Sequence, residues 1–196
     1  MTHVAGIDVG STYTKAVLLD EGGNIAGRAM CPTGFKLDVA AQITFEQVLS
    51  EAGLSQSDVG YTISTGYGRH QVEFRDVTVT SLTSAARGAH WFFPGTRTVL
   101  DIGGQTMKAS KLDERVKVKS FRLNDKCAAG TGAFLEKTAR YMNYSTEEIG
   151  PLAASSTVPV EISGVYAVFA ESEVINQLTI GSAPSDIMNG AMQSLV

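Results

Sequence analysis

Apolar and polar positions alternate near the start of the chain in a way that predicts a small antiparallel sheet. Residues 4–9 and 15–19 are apolar runs separated by a polar turn at Gly10. A third run, residues 24–30, follows a second turn at Gly22. Short apolar runs separated by turns that contain glycine are typical of strands joined as hairpins. This part of the chain is therefore predicted to be a three-stranded meander.

Two helices are predicted next. Residues 37–52 and 82–93 carry apolar side chains at intervals of three and four, which is the spacing of one helix face. A short strand is predicted between them, at residues 61–64. The aromatic residues at the end of the second helix are predicted to pack in the core: Trp91, Phe92 and Phe93.

The same order of elements then returns. Residues 98–102, 107–112 and 116–121 are predicted strands, and a glycine-rich turn starting at Ala128 leads into a helix that ends near Met142. A repeated strand, turn, strand and helix indicates an internal duplication. Two later elements lie beyond the repeat: a strand over 158–162 and a helix over 169–178. We therefore predict an α/β fold of two lobes, residues 1–95 and 96–196.

Composition excludes several classes of partner and location. The net charge is −4, without a basic cluster, which argues against nucleic acid. Charged residues interrupt the first strands, so no leader peptide is predicted, and no apolar run approaches the roughly 18–20 residues that cross a bilayer. We expect a cytoplasmic protein with no membrane contact. Its two cysteines, Cys31 and Cys127, are expected to be thiols or metal ligands.

The first turn has the composition of a site for a magnesium nucleotide. Asp8 ends the first strand and can hold Mg²⁺, usually through water, while Gly10 lets the backbone approach phosphate. The hydroxyls of Ser11 and Thr12 add donors, and Lys15 follows on the second strand. Taken alone, the motif is equally compatible with a plain hairpin that has a polar turn.

The second lobe starts with the same motif. Asp101 ends its first strand, and Gly103 and Gly104 form the turn with Gln105 and Thr106. Two such hairpins would clamp the β- and γ-phosphates of ATP, which positions them for phosphoryl transfer. Gln105 is predicted to orient an attacking water. Asp101 is predicted either to position a metal-bound water or to act as a base. Lys108 is left as a phosphate ligand or a surface lysine.

Five segments resemble one family, the BadF/BadG/BcrA/BcrD ATPases, which include activases of 2-hydroxyacyl-CoA dehydratases and ATP-binding subunits of benzoyl-CoA reductase. The segments are residues 8–12, 65–69, 101–105, 124–132 and 168–173. The resemblance implies two ribonuclease-H-like lobes of the actin, sugar-kinase and Hsp70 superfamily, with ATP between them. It covers the chain but implies a further C-terminal part that holds adenosine, so the second lobe is expected to be truncated. The stretch 86–98 is closer to the benzoyl-CoA reductase branch.

The resemblance also implies a redox role. Family members form homo- or heterodimers that bridge a [4Fe–4S] cluster, receive electrons from a donor such as ferredoxin, and use ATP to pass them to a CoA-ester reductase or dehydratase. Cys127 matches the first cluster cysteine, and it precedes a helix predicted to open at Gly130, whose positive end favours an anionic cluster. The second cysteine position holds Tyr166. Either a different partner chain supplies the missing ligands, or the cluster is incomplete or absent.

Two other functions stay open. A small-molecule kinase of the same superfamily would need a substrate pocket and an inserted Asp base, and no such insertion is visible. A clusterless, nucleotide-binding structural subunit of a reductase is favoured by Tyr166 and by Thr106, which stands where the family usually has Asp. The resemblance also makes Glu171 a candidate residue near the cleft between the lobes.

Overall fold

The computed structural model describes residues 2–123, 131–164 and 167–194. Packing divides the chain into two compact units, which we call the first and the second unit. The first comprises Met1–Val99 and Lys111–Lys119, and the second comprises Leu100–Ser110 and Ser120–Val196. Within the described ranges, no helix is long and apolar enough to cross a membrane.

The first unit is built on a five-stranded sheet with strand order β3-β2-β1-β4-β5. The first three strands are antiparallel, whereas β4 runs parallel to β1 and β5 parallel to β4. The carboxyl ends of β1 and β4 therefore meet at one edge of the sheet. The elements are β1 His3–Val9, β2 Tyr13–Leu19, β3 Ile25–Pro32, α1 Leu37–Ala52, β4 Val59–Gly66, β5 Val77–Thr78 and α2 Ser81–Phe92.

The main core of the first unit lies between this sheet and α1. Alternate residues of β1 are buried, and Ile7 and Val9 have no solvent exposure. They share an apolar cluster with Phe45 and Val48 of α1. Burial of each such side chain stabilises the fold by about 1.5–3 kcal/mol. The predicted stripe of α1 thus packs against the buried face of the predicted first strand.

Glycine at Gly53 ends α1 as the sequence predicts. Its φ of 66° lies in the left-handed region, and its N–H returns to the Leu49 and Ser50 carbonyls. Glycine adopts this conformation without the steric cost that a β-carbon brings. The chain then turns back toward β4.

The repeat in the second half also folds as predicted, as a three-stranded sheet of order β6-β7-β8 followed by helices. Four helices surround an apolar cluster centred on Phe134, Val174, Ile187 and Met188. The elements are β6 Thr98–Ile102, β7 Met107–Leu112, β8 Val118–Leu123, α3 Gly132–Tyr141, α4 Ile149–Ala154, α5 Ala167–Thr179 and α6 Pro184–Gln193.

The predicted strand over 158–162 is wrong. This segment is irregular, and it lies against α6, where Asp186 accepts the Ser156 hydroxyl at 2.7 Å and the Val158 N–H at 3.1 Å. The Ser156 hydroxyl, followed by that backbone bond, holds the pKa of Asp186 below its ordinary range. Since Asp186 takes these donors, the local backbone is satisfied by a helix end and needs no neighbouring strand.

Two further predictions need correction. Strand β8 starts at Val118 instead of residue 116, because Val116 adopts a left-handed φ of 62° in the preceding turn. The aromatic residues at the end of α2 were predicted to be core. Trp91, Phe92 and Phe93 are instead 54%, 57% and 72% exposed. The residue of α2 that is buried is Ala86, earlier in the helix.

Gly190 of α6 gives a test of how the irregular segment packs. A β-carbon there would lie 1.9 Å from the Val160 carbonyl oxygen, so the backbone must move. We expect Gly190→Ala to lower the free energy of unfolding by about 1–3 kcal/mol, the usual effect of overpacking. Denaturant unfolding measures it. Gly88→Ala is the control, since Gly88 lies in α2 with open space around it and should gain up to about 1 kcal/mol. Equal effects would refute the packing described.

Candidate functional site

The two predicted phosphate hairpins close with the same hydrogen bond. In the first unit the Gly10 N–H donates to the Tyr13 carbonyl at 3.1 Å, and in the second the Gly103 N–H donates to the Thr106 carbonyl at 2.8 Å. Each glycine lies two residues after an aspartate that is the second-last residue of its strand. The structure therefore confirms that the sequence repeat is a repeat of backbone geometry.

Each aspartate is paired with a lysine on the neighbouring strand. Lys15 Nζ lies 3.3 Å from Asp8 Oδ2, and these two residues are direct partners in the β1–β2 register. Lys108 Nζ lies 3.5 Å from Asp101 Oδ2. The sequence left open whether Lys108 is a phosphate ligand or a surface lysine. The structure places it beside Asp101, in the candidate site. The equal spacing of seven residues between Asp and Lys in both copies could have revealed it.

A second loop completes the edge of the first unit. Asp8 and Thr65 are register partners on the parallel strands β1 and β4, so the turn after β4 lies beside the first hairpin. Gly66 has a φ of 89°, and a β-carbon there would lie 2.4 Å from Asp8 Oδ1. The Gly68 N–H donates to the Val9 carbonyl at 2.8 Å. The parallel pairing explains why this loop contains glycine.

Helix α3 is attached to the second hairpin. Its first N–H groups, those of Gly132 and Ala133, donate to the carbonyls of Gly103 and Gly104 at 2.9 and 3.0 Å. Gly130, where the helix was predicted to open, lies outside the described residues, and α3 begins at Gly132. The positive end of this helix lies at the phosphate hairpin. Positive charge there favours an anion beside the turn.

The remaining predicted ligands lie on the hairpins and are accessible. Ser11, Gln105 and Thr106 are exposed, and Thr12 is partly exposed. Hydroxyl and carboxylate oxygens are ligands that Mg²⁺ prefers, usually with several waters retained. The donor set of each hairpin therefore fits a magnesium nucleotide.

The predicted cluster ligand, Cys127, lies outside the described residues, as does the substituted position Tyr166. Cys31 lies on β3, with its sulfur 3.0 Å from the Thr44 hydroxyl. Among the described residues, no three His, Cys, Asp or Glu side chains are grouped so that they could hold a metal ion.

Glu171, a candidate from the resemblance, ties α5 to α3. Its carboxylate accepts hydrogen bonds from Lys137 and Tyr141, both on α3. Lys137, and then Tyr141, hold the pKa of Glu171 below its ordinary value of 4.5. Glu171 thus helps to hold α5 against α3 within the second unit.

The fold is shared with a solved dehydratase activator and with the solved component A of an (R)-2-hydroxyglutaryl-CoA dehydratase. The chain belongs to the BadF/BadG/BcrA/BcrD ATPase family, whose model matches residues 5–196. It is 38% identical over 193 residues to the activator of lactoyl-CoA dehydratase from Anaerotignum propionicum, covering 98% of this chain and 74% of that protein. A benzoyl-CoA reductase subunit from Thauera aromatica is 38% identical over 197 residues, covering 97% and 68%.

A solved relative has the same fold. The activator of the 2-hydroxyisocaproyl-CoA dehydratase from Clostridium difficile with bound ADPNP superposes with a TM-score of 0.90 at 36% identity. The superposition covers 99% of this chain and 72% of that one. The family and the fold that the sequence predicted are confirmed.

Gly10 allows a test of the first hairpin. A β-carbon there would lie 2.7 Å from the Tyr13 carbonyl oxygen, which accepts the hydrogen bond that closes the turn. We expect Gly10→Ala to weaken the binding of a fluorescent ATP analogue about 10-fold or more, because the turn must open. Gly88→Ala, made in open space on α2, should bind as the wild type does. Unchanged affinity in Gly10→Ala would show that the turn does not contact nucleotide.

The lowered pKa of Glu171 predicts that the free energy of unfolding depends on pH. Because its pKa is lower in the folded state, its contribution is complete above its ordinary pKa of 4.5 and is lost as the pH falls through the lowered value. The pair with Lys137 is partly exposed, so the contribution is only about 0.5–1 kcal/mol. Denaturant unfolding is measured at intervals from about pH 7 to about pH 3. Over this range the free energy of unfolding should fall less in Glu171→Gln than in the wild type. The exposed Glu147→Gln serves as control, and an identical fall in Glu171→Gln contradicts the assignment.

Proposed function

We propose that this chain binds Mg-ATP with one Asp-x-Gly hairpin on each side of the phosphates and hydrolyses it. The observation that carries the proposal is the repeated geometry: two hairpins with the same closing bond and the same Asp–Lys pair. The relative that was solved with ADPNP supports it, because the two folds superpose closely.

The residues divide into binding and hydrolysis. On one side the hydroxyls of Ser11 and Thr12 donate hydrogen bonds to phosphate oxygens, and Asp8 would hold Mg²⁺ through water. In hydrolysis the oxygen of water attacks the γ-phosphorus as the bond to ADP breaks. Gln105 orients this water, and Asp101 either positions a metal-bound water or accepts its proton. Thr106 keeps a hydroxyl donor where the family usually has a carboxylate.

ATP hydrolysis is proposed to drive the transfer of a low-potential electron to a CoA-ester dehydratase or reductase. The names of the relatives support this class of partner. The preference for a benzoyl-CoA reductase partner rests on the stretch 86–98. Overall identity is 38% to both the activator and the reductase component, so it favours neither branch.

The electron would pass through a [4Fe–4S] cluster with Cys127 as one ligand, after donation by a protein such as ferredoxin. One cysteine from each of two identical chains supplies two thiolates, whereas a cubane cluster normally takes four. A symmetric pair of this chain therefore does not fit the cluster. We assign the missing ligands to a different second ATPase subunit.

A clusterless subunit that binds nucleotide is the second candidate. Tyr166 at the second cysteine position favours it. Both candidates bind ATP, but the second is a structural subunit with weak catalysis and no iron.

Anaerobic purification of the chain with its second subunit separates them. Iron and sulfide analysis and an ATPase assay are made on the wild type, Cys127→Ala and the matched control Cys31→Ala. We expect ATP hydrolysis and cluster iron in the wild type and in Cys31→Ala, and a loss of iron in Cys127→Ala. ATP binding without iron in the wild type would favour the clusterless subunit. ATP-dependent phosphorylation of a sugar, without iron, would contradict both.

A further inference from the structure

The two Asp–Lys pairs differ in burial. In the second unit the Lys108 side chain is 19% exposed and Asp101 is 35% exposed, while Lys15 and Asp8 are 51% and 39% exposed. A pair that is less exposed is screened less by water, and its long lysine side chain has fewer conformations. Lys108 is therefore the more firmly held of the two lysines.

A carboxylate beside a triphosphate creates an electrostatic problem that this lysine can solve. Asp101 and the phosphates are both anionic, so they repel each other when they come close. The ammonium of Lys108 carries three N–H donors and no acceptor. It donates one of these to Asp101, and its positive charge offsets the repulsion between that carboxylate and the phosphates.

We propose that Lys108 is a positioning residue for hydrolysis, acting through Asp101. It fixes the carboxylate at the end of β6 while the phosphates and the attacking water take their places. This inference rests on the proposed function. Lys15, in the exposed pair, serves mainly to attract and bind the nucleotide. The same seven-residue spacing thus supports two different tasks.

This division of tasks gives different kinetic signatures. Loss of a positioning residue lowers kcat and leaves KM for ATP nearly unchanged, whereas loss of a binding residue raises KM. If Lys108 only stabilised the fold, its loss would lower the unfolding temperature and the fraction of active protein. Lys108→Arg would then not restore kcat selectively.

Steady-state ATP hydrolysis by the full chain tests the assignment with Lys108→Met, Lys108→Arg and Lys15→Met. Lys111→Met is the matched control, because Lys111 is an exposed lysine on the same strand. We expect Lys108→Met to lower kcat about 10- to 100-fold with KM changed by less than about 3-fold. Lys108→Arg should recover most of the loss, and Lys15→Met should act mainly on KM.

A double substitution gives a second readout that a structural role would not move. If Lys108 acts through Asp101, then Asp101→Asn with Lys108→Met should be no slower than Asp101→Asn alone. Additive losses would overturn the inference, as would a Lys108→Met enzyme that turns over like the Lys111→Met control. A wild-type chain that neither binds nor hydrolyses ATP would overturn the proposed function, and the inference with it.

Discussion

One hydrogen bond, made twice, sets the geometry on which both candidate half-sites depend. A glycine N–H donates to the carbonyl three residues later, at Gly10 in the first unit and at Gly103 in the second. This bond closes the turn that connects two neighbouring strands. In the first unit the register places Asp8 opposite Lys15, and in the second Lys108 Nζ lies 3.5 Å from Asp101 Oδ2. The chemistry of the site is thus a consequence of hairpin geometry.

Each hairpin is supported by a different neighbour. In the first unit the turn after β4 packs against Asp8 and Val9, where only glycine fits. In the second unit the start of α3 donates two N–H groups to the turn carbonyls. The second arrangement links the phosphate turn directly to a helix that follows the cysteine run in the sequence. A shift of Gly103 or Gly104 must therefore move α3 or break these bonds.

Much of the fold could be predicted because local patterns and tertiary packing agree. The stripe of α1 and the alternation of β1 each identify a buried face, and those faces pack together. Prediction was wrong where a tertiary partner replaced the local pattern. Residues 158–162 have the composition of a strand, but Asp186 takes their backbone donors. The aromatic end of α2 is apolar by composition and yet exposed.

The sequence by itself determined the duplication and the residue types of both Asp-x-Gly turns, because these follow from spacing along the chain, and the resemblance of five segments indicated the family. Only the tertiary structure decided that the turn after β4 lies beside Asp8 and that α3 begins on the second hairpin. Each of these depends on which strands and helices are neighbours. Neighbour relations come from sheet pairing and helix packing, and a linear pattern of residues does not contain them.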